Sequence, residues 1–376
     1  MLAISNLKNS KHSYYLIIDN DQSPNEFLIH LASLDHIHLV NLNYGKEINF
    51  FFRVLKRLFT NTIFYDLLPL YRSEKIAKRL SLLKLNILHF LTTTIDLPYN
   101  FPDKTKILLT VADIQHEYFS EFFTALELQY RRETYNYSIN KADKIITISN
   151  YTADTISEIY KIDRKTIEVV YINAGRQFFS DISDREIQDI KVKYNLPDKF
   201  LFYPGHPWKH KNHVGLIKAI IHLKESFDLD ISLVTSGQLK NNSETIESIA
   251  ESLLFPMNKI HNIGFIKSKE LPAIYRLANL LVYPSFFEGF GIPVLEALIS
   301  GCPVVCSNLT SIPEVGGDSV IYVDPYSYKD IARGISDIIN NKNLRDEKIK
   351  SGLLHAKNFD EDLIIEKYLN IYDKYD

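Results

Sequence analysis

Short β-branched runs alternate with longer stretches of helical period along most of this chain. In the first half SYYLIID (13–19), HIHLVNL (36–42), KILLTV (106–111) and KIITIS (144–149) predict buried strands. FLFYPG (200–205), ISLVTSG (231–237), LLVYPS (280–285), PVVCS (303–307) and VIYVD (320–324) do so in the second. Apolar positions at helical spacing predict helices within 118–139, 151–160, 212–226, 243–254, 269–278, 293–300 and 328–340. Near-continuous apolar strands separated by helices are the pattern of parallel sheets covered on both faces. A charged stretch without a strong strand signal, 177–198, marks the boundary between two lobes. The expectation is therefore an α/β protein of two doubly wound, Rossmann-like lobes, residues 1–176 and 199–356, joined by the linker 177–198 and followed by the segment 357–376. Ligands of such folds bind beyond the carboxyl ends of the strands, so loops after strands are where chemistry is sought.

Two loops of the second lobe stand out. FFEGFGIPVLEALISG (286–301) follows the strand LLVYPS, and Pro293 suits the first turn of a helix, where its missing N–H costs nothing. Glu288 then lies in the loop and Glu296 about a turn inside the helix. Between them Gly289, Phe290 and Gly291 form a loop whose backbone can approach a ligand closely. Amides at such a helix start favour anionic or hydroxyl-rich ligands. On the residues alone, a helix-capping Glu288 and a solvent-facing Glu296 account for the pattern equally well. The other loop, YPGHPWKHKNH (203–213), also leads from a strand into a helix and puts Lys211 near that helix's N-terminus. There a diphosphate would meet both the helix field and an ammonium charge. Read by itself, an exposed polar loop is the commoner outcome.

EGFGIPVLEAL resembles the E-x7-E motif of the retaining family-four glycosyltransferases, which have the GT-B fold, and Glu288 and Glu296 fall on its two acids. GCPVVCSNLTSIPEVGGDSVIYVDP is similar to the stretch that follows the motif, including the PEV-G-D run at Pro313–Asp318. The resemblance extends from about residue 105 to the C-terminus. It implies that Glu288 and the amides of Gly289, Phe290 and Gly291 contact the donor sugar, and that Glu296 holds the nucleotide ribose. It implies further that Gly205 and Lys211 belong to a phosphate-binding loop, and that Phe265 and Ile266 lie beside the base. Many members carry an arginine after the loop's first glycine; here His206 and Pro207 follow Gly205, and Lys209 and His210 are the substitutes to consider. In the first lobe, ADIQHEYFSEFF (112–123) resembles a segment often written D-x-Q-H-x-x-x-P-E-F-F. Asp113, Gln115 and His116 match it, Ser120 replaces the proline, and Ala112 stands where many relatives place a histidine. His116 is the implied contact to the reacting sugar or acceptor, with a core or surface histidine as the alternative. Arg132, Ala142-Asp143 and Ser149 also fit the family's run, although Ser149 equally suits an N-cap. In GT-B proteins the last helix crosses back to the first lobe, and the apolar spacing of Leu363, Ile364, Ile365, Tyr368, Leu369, Ile371 and Tyr372 fits such a helix. The first strand of that fold leads into a glycine-containing loop, whereas SYYLIID aligns with the second strand. The expectation is that about 15–25 residues are missing upstream, on ordinary element lengths.

Composition narrows the alternatives. With 376 residues, 45% hydrophobic and 24% charged, the chain can fill two cores. A net charge of -3 argues against a general electrostatic grip on nucleic acid. Its two cysteines, Cys302 and Cys306, sit in an apolar run and read as buried thiols. The Asp-x-Asp pairs at 228–230 and 360–362 have the spacing of metal-dependent transferases but sit at helix junctions, and read as surface acids. Arg53, Lys56, Arg57, Arg72, Lys75, Lys78, Arg79 and Lys84 oppose Asp66 and Glu74 across 53–84. That stretch suggests a surface for anionic lipid or a charged acceptor, an ordinary solvated helix face being the alternative. No run of about 18 apolar residues predicts a membrane span, and the N-terminus has no secretory pattern. The place expected is the cytoplasm, at the inner face of the membrane if the basic stretch engages lipid. The function expected is metal-independent retaining transfer of a hexosyl group from a nucleotide-diphosphate sugar to a glycan or lipid-linked acceptor in surface polysaccharide synthesis, with no other cofactor. A catalytically weak binding or scaffold subunit is the alternative, and a GT-B epimerase or phosphorylase fits the architecture but not EGFGIPVLEAL.

Overall fold

The structure is a computed structural model and describes residues 13–18, 37–41, 78, 80–95, 104–237 and 245–375. In the first lobe, β3 (Ile87–Phe90), β4 (Lys106–Val111), β5 (Lys144–Thr147) and β6 (Ile167–Val169) form a parallel sheet in chain order. β1 (Tyr14–Ile18) and β2 (Ile37–Asn41) pair in parallel with each other, Tyr14 opposite Ile37. The basic stretch lies outside the described residues except for Lys78 and residues 80–84.

The second lobe is built on a six-stranded parallel sheet. Its strands are β7 (Phe200–Pro204), β8 (Ser232–Ser236), β9 (Ile260–Asn262), β10 (Leu280–Tyr283), β11 (Val304–Ser307) and β12 (Ile321–Val323). Their order, β12-β11-β10-β7-β8-β9, runs outward in both directions from the β10–β7 pair, where Leu280 lies opposite Leu201. That reversal is a topological switch point, which opens a crevice at the strands' carboxyl ends. Leu201, Phe202, Leu233, Val234, Leu281, Val282, Val304 and Val305 have no exposed surface, as runs apolar on both faces require. Each such burial stabilises by roughly 1.5–3 kcal/mol. Cys302 and Cys306 are free thiols buried in this core.

The charged stretch expected as a linker holds a helix, Asp184–Lys193, started by a capping box between Ser183 and Glu186. Ile190 and Tyr194 pack on the second-lobe core, and the Tyr194 hydroxyl donates to Glu270 at 2.6 Å. The terminal helix Glu361–Tyr372 crosses back, as expected. Ile371 joins Leu108, Ile146 and Val170 of the first lobe, and His89 of β3 bridges the Tyr372 and Thr110 hydroxyls at 2.8 Å each. These two lobes of parallel sheet with a returning terminal helix have the GT-B architecture. Among the described residues no helix is long and apolar enough to cross a membrane, and no group of His, Cys, Asp and Glu is arranged to hold a metal.

Candidate functional site

The loops after β7 and β10 meet at the switch point. Gly205 leaves β7 at φ +133°, a conformation that L side chains avoid, and its N–H donates to Ser236 O at 2.9 Å. The short turn Lys209–Lys211 follows. It ends at Asn212, whose left-handed backbone (φ 57°) caps the helix His213–Phe227. Asn212 Nδ2 donates to Pro325 O at 2.7 Å and Pro284 O at 3.1 Å, and Tyr203 donates to Lys211 O at 2.6 Å. Lys211 and the residue after it are thus held by three bonds. Its Nζ donates to Glu288 Oε1 at 2.7 Å and to the Tyr283 hydroxyl at 2.8 Å. Burial, reinforced by the Glu288 charge, holds the Tyr283 phenol protonated well above the ordinary range.

Glu288 is held with equal care. Its N–H donates to Thr310 Oγ1 at 3.2 Å, and Ser311 Oγ lies 2.8 and 2.9 Å from the carbonyls of Glu288 and Phe290. Gly291 (φ 111°) opens the helix Ile292–Ile299, with Pro293 in its first turn as predicted. On that helix Glu296 accepts the Tyr275 hydroxyl at 2.8 Å, and burial pushes its carboxyl up to about 7. The Phe290 side chain is core, against Tyr171 and Phe359, so this residue has its backbone left to offer a ligand. Phe265 is exposed beyond β9, and Ile266 rests partly on the core. His210 is buried, and burial followed by the Lys211 charge pulls it down to about 4, so it brings no charge to the phosphate loop; Lys209 is exposed.

The first lobe closes on these loops. A Cβ on Gly289 would stand 2.6 Å from Ala112 O and 3.0 Å from Asp113 Cβ, so the glycine's close approach is made to the other lobe. Asp113 accepts the Gln115 N–H at 3.0 Å. Burial pushes its carboxyl up and the Gln115 bond opposes this, while the charges of Glu288, Arg131 and Lys211 all act on it. Ser149 is the N-cap that the sequence allowed, and it also reaches the other lobe. Its Oγ accepts the Thr152 N–H as an N-cap of the helix Asn150–Tyr160 and lies 2.8 Å from Gly289 O across the lobes.

His116 takes the core place that the sequence held open as its alternative. It has no exposed surface, its ring meets the edges of Tyr135 and Phe123, and burial pulls it down to about 4. The short helix Gln115–Tyr118 turns its first apolar-facing position inward, and that leaves the imidazole no surface to offer a sugar. Arg132 pairs with Glu117 at 2.9 Å. Asp228 and Asp230 are exposed and paired with Lys224 and Lys259, while Asp360 caps the terminal helix.

Three residues joined to this site carried no role in the sequence reading. Glu314 accepts the N–H groups of Asn150 (2.8 Å) and Tyr151 (2.6 Å) across the lobes, as well as Asn150 Nδ2 at 3.1 Å. Phe287, 2% exposed, is packed by Tyr118, Phe119 and Tyr151. Tyr275 holds Glu296. Glu314 lies inside the PEV run, which was its one signal; nothing in FFEGFG tells which phenylalanine crosses to the first lobe.

A two-lobed GT-B protein with a lysine–glutamate pair at its switch point is the class that the fold and geometry define. Residues 184–353 match the family model described as glycosyl transferases group 1. The chain is 28% identical over 253 residues, 67% of its length and 66% of the relative's, to O-antigen chain mannosyltransferase B of Escherichia coli. It is 33% identical over 195 residues to the serotype-specific mannosyltransferase WbdA of Escherichia coli, 51% of this chain and 24% of WbdA. It therefore spans less than two thirds of either relative. A glycosyltransferase structure from Rickettsia africae ESF-5 superposes with a TM-score of 0.70 at 18% identity, covering 100% of this chain and 93% of that one. The chain has the GT-B fold and is similar in sequence to mannosyltransferases of Escherichia coli.

Proposed function

We propose that this protein transfers a hexosyl group from a nucleotide-diphosphate sugar to a glycan or lipid-linked acceptor, with retention at the anomeric carbon, in the synthesis of surface polysaccharide. The observation that carries the reading is the Lys211–Glu288 pair, 2.7 Å long, at the switch point of the second-lobe sheet. The diphosphate lies against Lys211 and the loop that begins at Gly205, and Lys211 stabilises the negative charge that develops on the leaving group. Glu288 and the amides of Gly289, Phe290 and Gly291 position the sugar, Glu296 the ribose, and Phe265 with Ile266 the base. The leaving phosphate takes the acceptor's proton, so no side chain is needed as base. Closure of the lobes excludes the water that would hydrolyse the donor. The lobe boundaries of this reading are those of the sequence, 1–176 and 199–356, and the reaction uses no metal. Two relatives named as mannosyltransferases, one of an O-antigen chain, make a nucleotide-diphospho-mannose the donor to try first.

The test is a calorimetric titration against UDP-, GDP- and ADP-sugars, with turnover followed in parallel. One donor should bind selectively. Lys211→Ala and Glu288→Ala should each lower turnover at least about tenfold, the scale of one charge-assisted bond lost from the transition state. Unchanged turnover in both variants would remove the site. The burial of His116 together with Ala112 favours a second reading, a binding or scaffold subunit, for which donor binding without turnover is the distinguishing result.

A further inference from the structure

The second acid of the site is held by a residue with no assigned role. Tyr275 lies on the helix Leu271–Leu277, has no exposed surface, and is fixed by ring contacts to Phe202 (5.0 Å) and Phe178 (6.0 Å). Its hydroxyl reaches one acceptor, Glu296 Oε2, at 2.8 Å. Among the described residues Oε1 of the same carboxylate has no protein donor, and it is not one of the enclosed atoms left without a partner. A fully packed ring thus spends its one polar group on half of a carboxylate and leaves the other half open. We propose that Tyr275 is the positioning residue of the donor site: by holding Oε2 it fixes the rotamer of Glu296 and presents Oε1 to the hydroxyls of the nucleotide ribose. The inference rests on the reading of Glu296 as the ribose contact.

The bond has a second effect. In the unliganded protein Glu296 is pushed up to about 7 by burial, and the Tyr275 bond works against that rise. The groups bearing on the carboxylate are Tyr275 and, behind the tyrosine, the Cys302 thiol; no Lys, Arg or His pairs with it among the described residues. Ribose hydroxyls donate to the carboxylate and favour its charged form. Donor affinity therefore rises as pH rises through the Glu296 transition, and loss of the Tyr275 hydroxyl moves that transition to higher pH.

The experiment is calorimetric titration of GDP-mannose and UDP-glucose into the full chain and its variants between pH 6 and 9. Tyr275→Phe keeps the ring contacts. It should weaken donor binding about fivefold at pH 7, the scale of one hydrogen bond, with the rise in affinity displaced upward in pH. Unchanged affinity and an unchanged pH midpoint in Tyr275→Phe would overturn the proposal. So would a loss that Tyr275→Leu reproduces in full with the midpoint in place, since that is loss of packing alone. Glu296→Ala separates this from the reading beneath it. If that variant binds both donors as the parent does, or the parent binds neither, the ribose contact itself is wrong; if it loses affinity while Tyr275→Phe does not, only the positioning role falls.

Discussion

Lys211 stands between two acceptors supplied by one strand and the loop that follows it, and its charge is committed before any donor arrives. On the proposed reading, a diphosphate entering there would compete with Glu288 for the ammonium, so each partner would set the position of the other. The opposite face of the same loop is equally constrained. Gly289→Ala would drive a methyl group into the Ala112 carbonyl at 2.6 Å, a backbone atom that cannot rotate away. Overpacking of this kind costs about 1–3 kcal/mol. The variant should unfold several degrees lower in a thermal scan and lose turnover; an unaltered transition would show that the lobes part here freely. At this scale the two acids and the lysine stood out through the resemblance carried by EGFGIPVLEAL and YPGHPWKHKNH, since the residues alone left a capping acid, a solvated acid and an exposed polar loop open. His116 was left between a cleft and a core place, because a four-residue helix decides which way such a side chain turns. Tyr283 and Tyr275 read as ordinary apolar positions of a strand and a helix, and their hydroxyls acquire meaning from partners about 72 and 21 residues away.

The helix Asn150–Tyr160 takes its N-terminal ligand from another lobe. Its first two amides donate to the Glu314 carboxylate, where the helix field favours a negative charge. Glu314→Gln keeps an acceptor and removes the charge, and should cost about 0.3–1 kcal/mol. Glu314→Ala leaves amides unpaired and should cost about 1–3 kcal/mol. Thermal unfolding of the two variants checks the order, and an alanine variant as stable as the parent would show that the bridge contributes nothing. The strands that periodicity did not reveal, β3, β6 and β9, all lie at sheet edges. Edge strands are covered less completely, so their short runs ILHF, IEV and IHN admit a histidine or an acid where central strands are uniformly apolar. The helix Asp184–Lys193 was hidden by its charge, although the Ser183–Glu186 box that starts it is written in the sequence.

Among the described residues, four histidines, three of them buried and His89 half-buried, are kept neutral. His89, His116 and His210 are drawn down to about 4 and His213 to about 3, chiefly by burial. An unfolded chain takes up these protons near 6.5, before the folded protein does, so the stability they contribute is lost progressively as pH falls from 6.5 toward 4. Glu296 and Asp113 act in the opposite sense, because their raised carboxyls hold protons in the folded state that the unfolded chain has released. Four against two, acidification between pH 6.5 and 4.5 should lower the melting temperature. Replacing His213 with a neutral aromatic should flatten that slope, and a melting temperature indifferent to pH would place these imidazoles in water.

The terminal helix has a consequence for how the protein is made. Leu108, Ile146 and Val170 of the first lobe are covered by Ile371 and its neighbours, which are translated after the second lobe's sheet. The second lobe, by contrast, has its whole sheet translated by Val323. Domains commonly complete themselves in the order of synthesis; here the first lobe is sealed after the second lobe's sheet is made. Until the helix Glu361–Tyr372 emerges, its apolar face waits open. During that interval the half-built first lobe is exposed to chaperones, proteases and its own nascent neighbours.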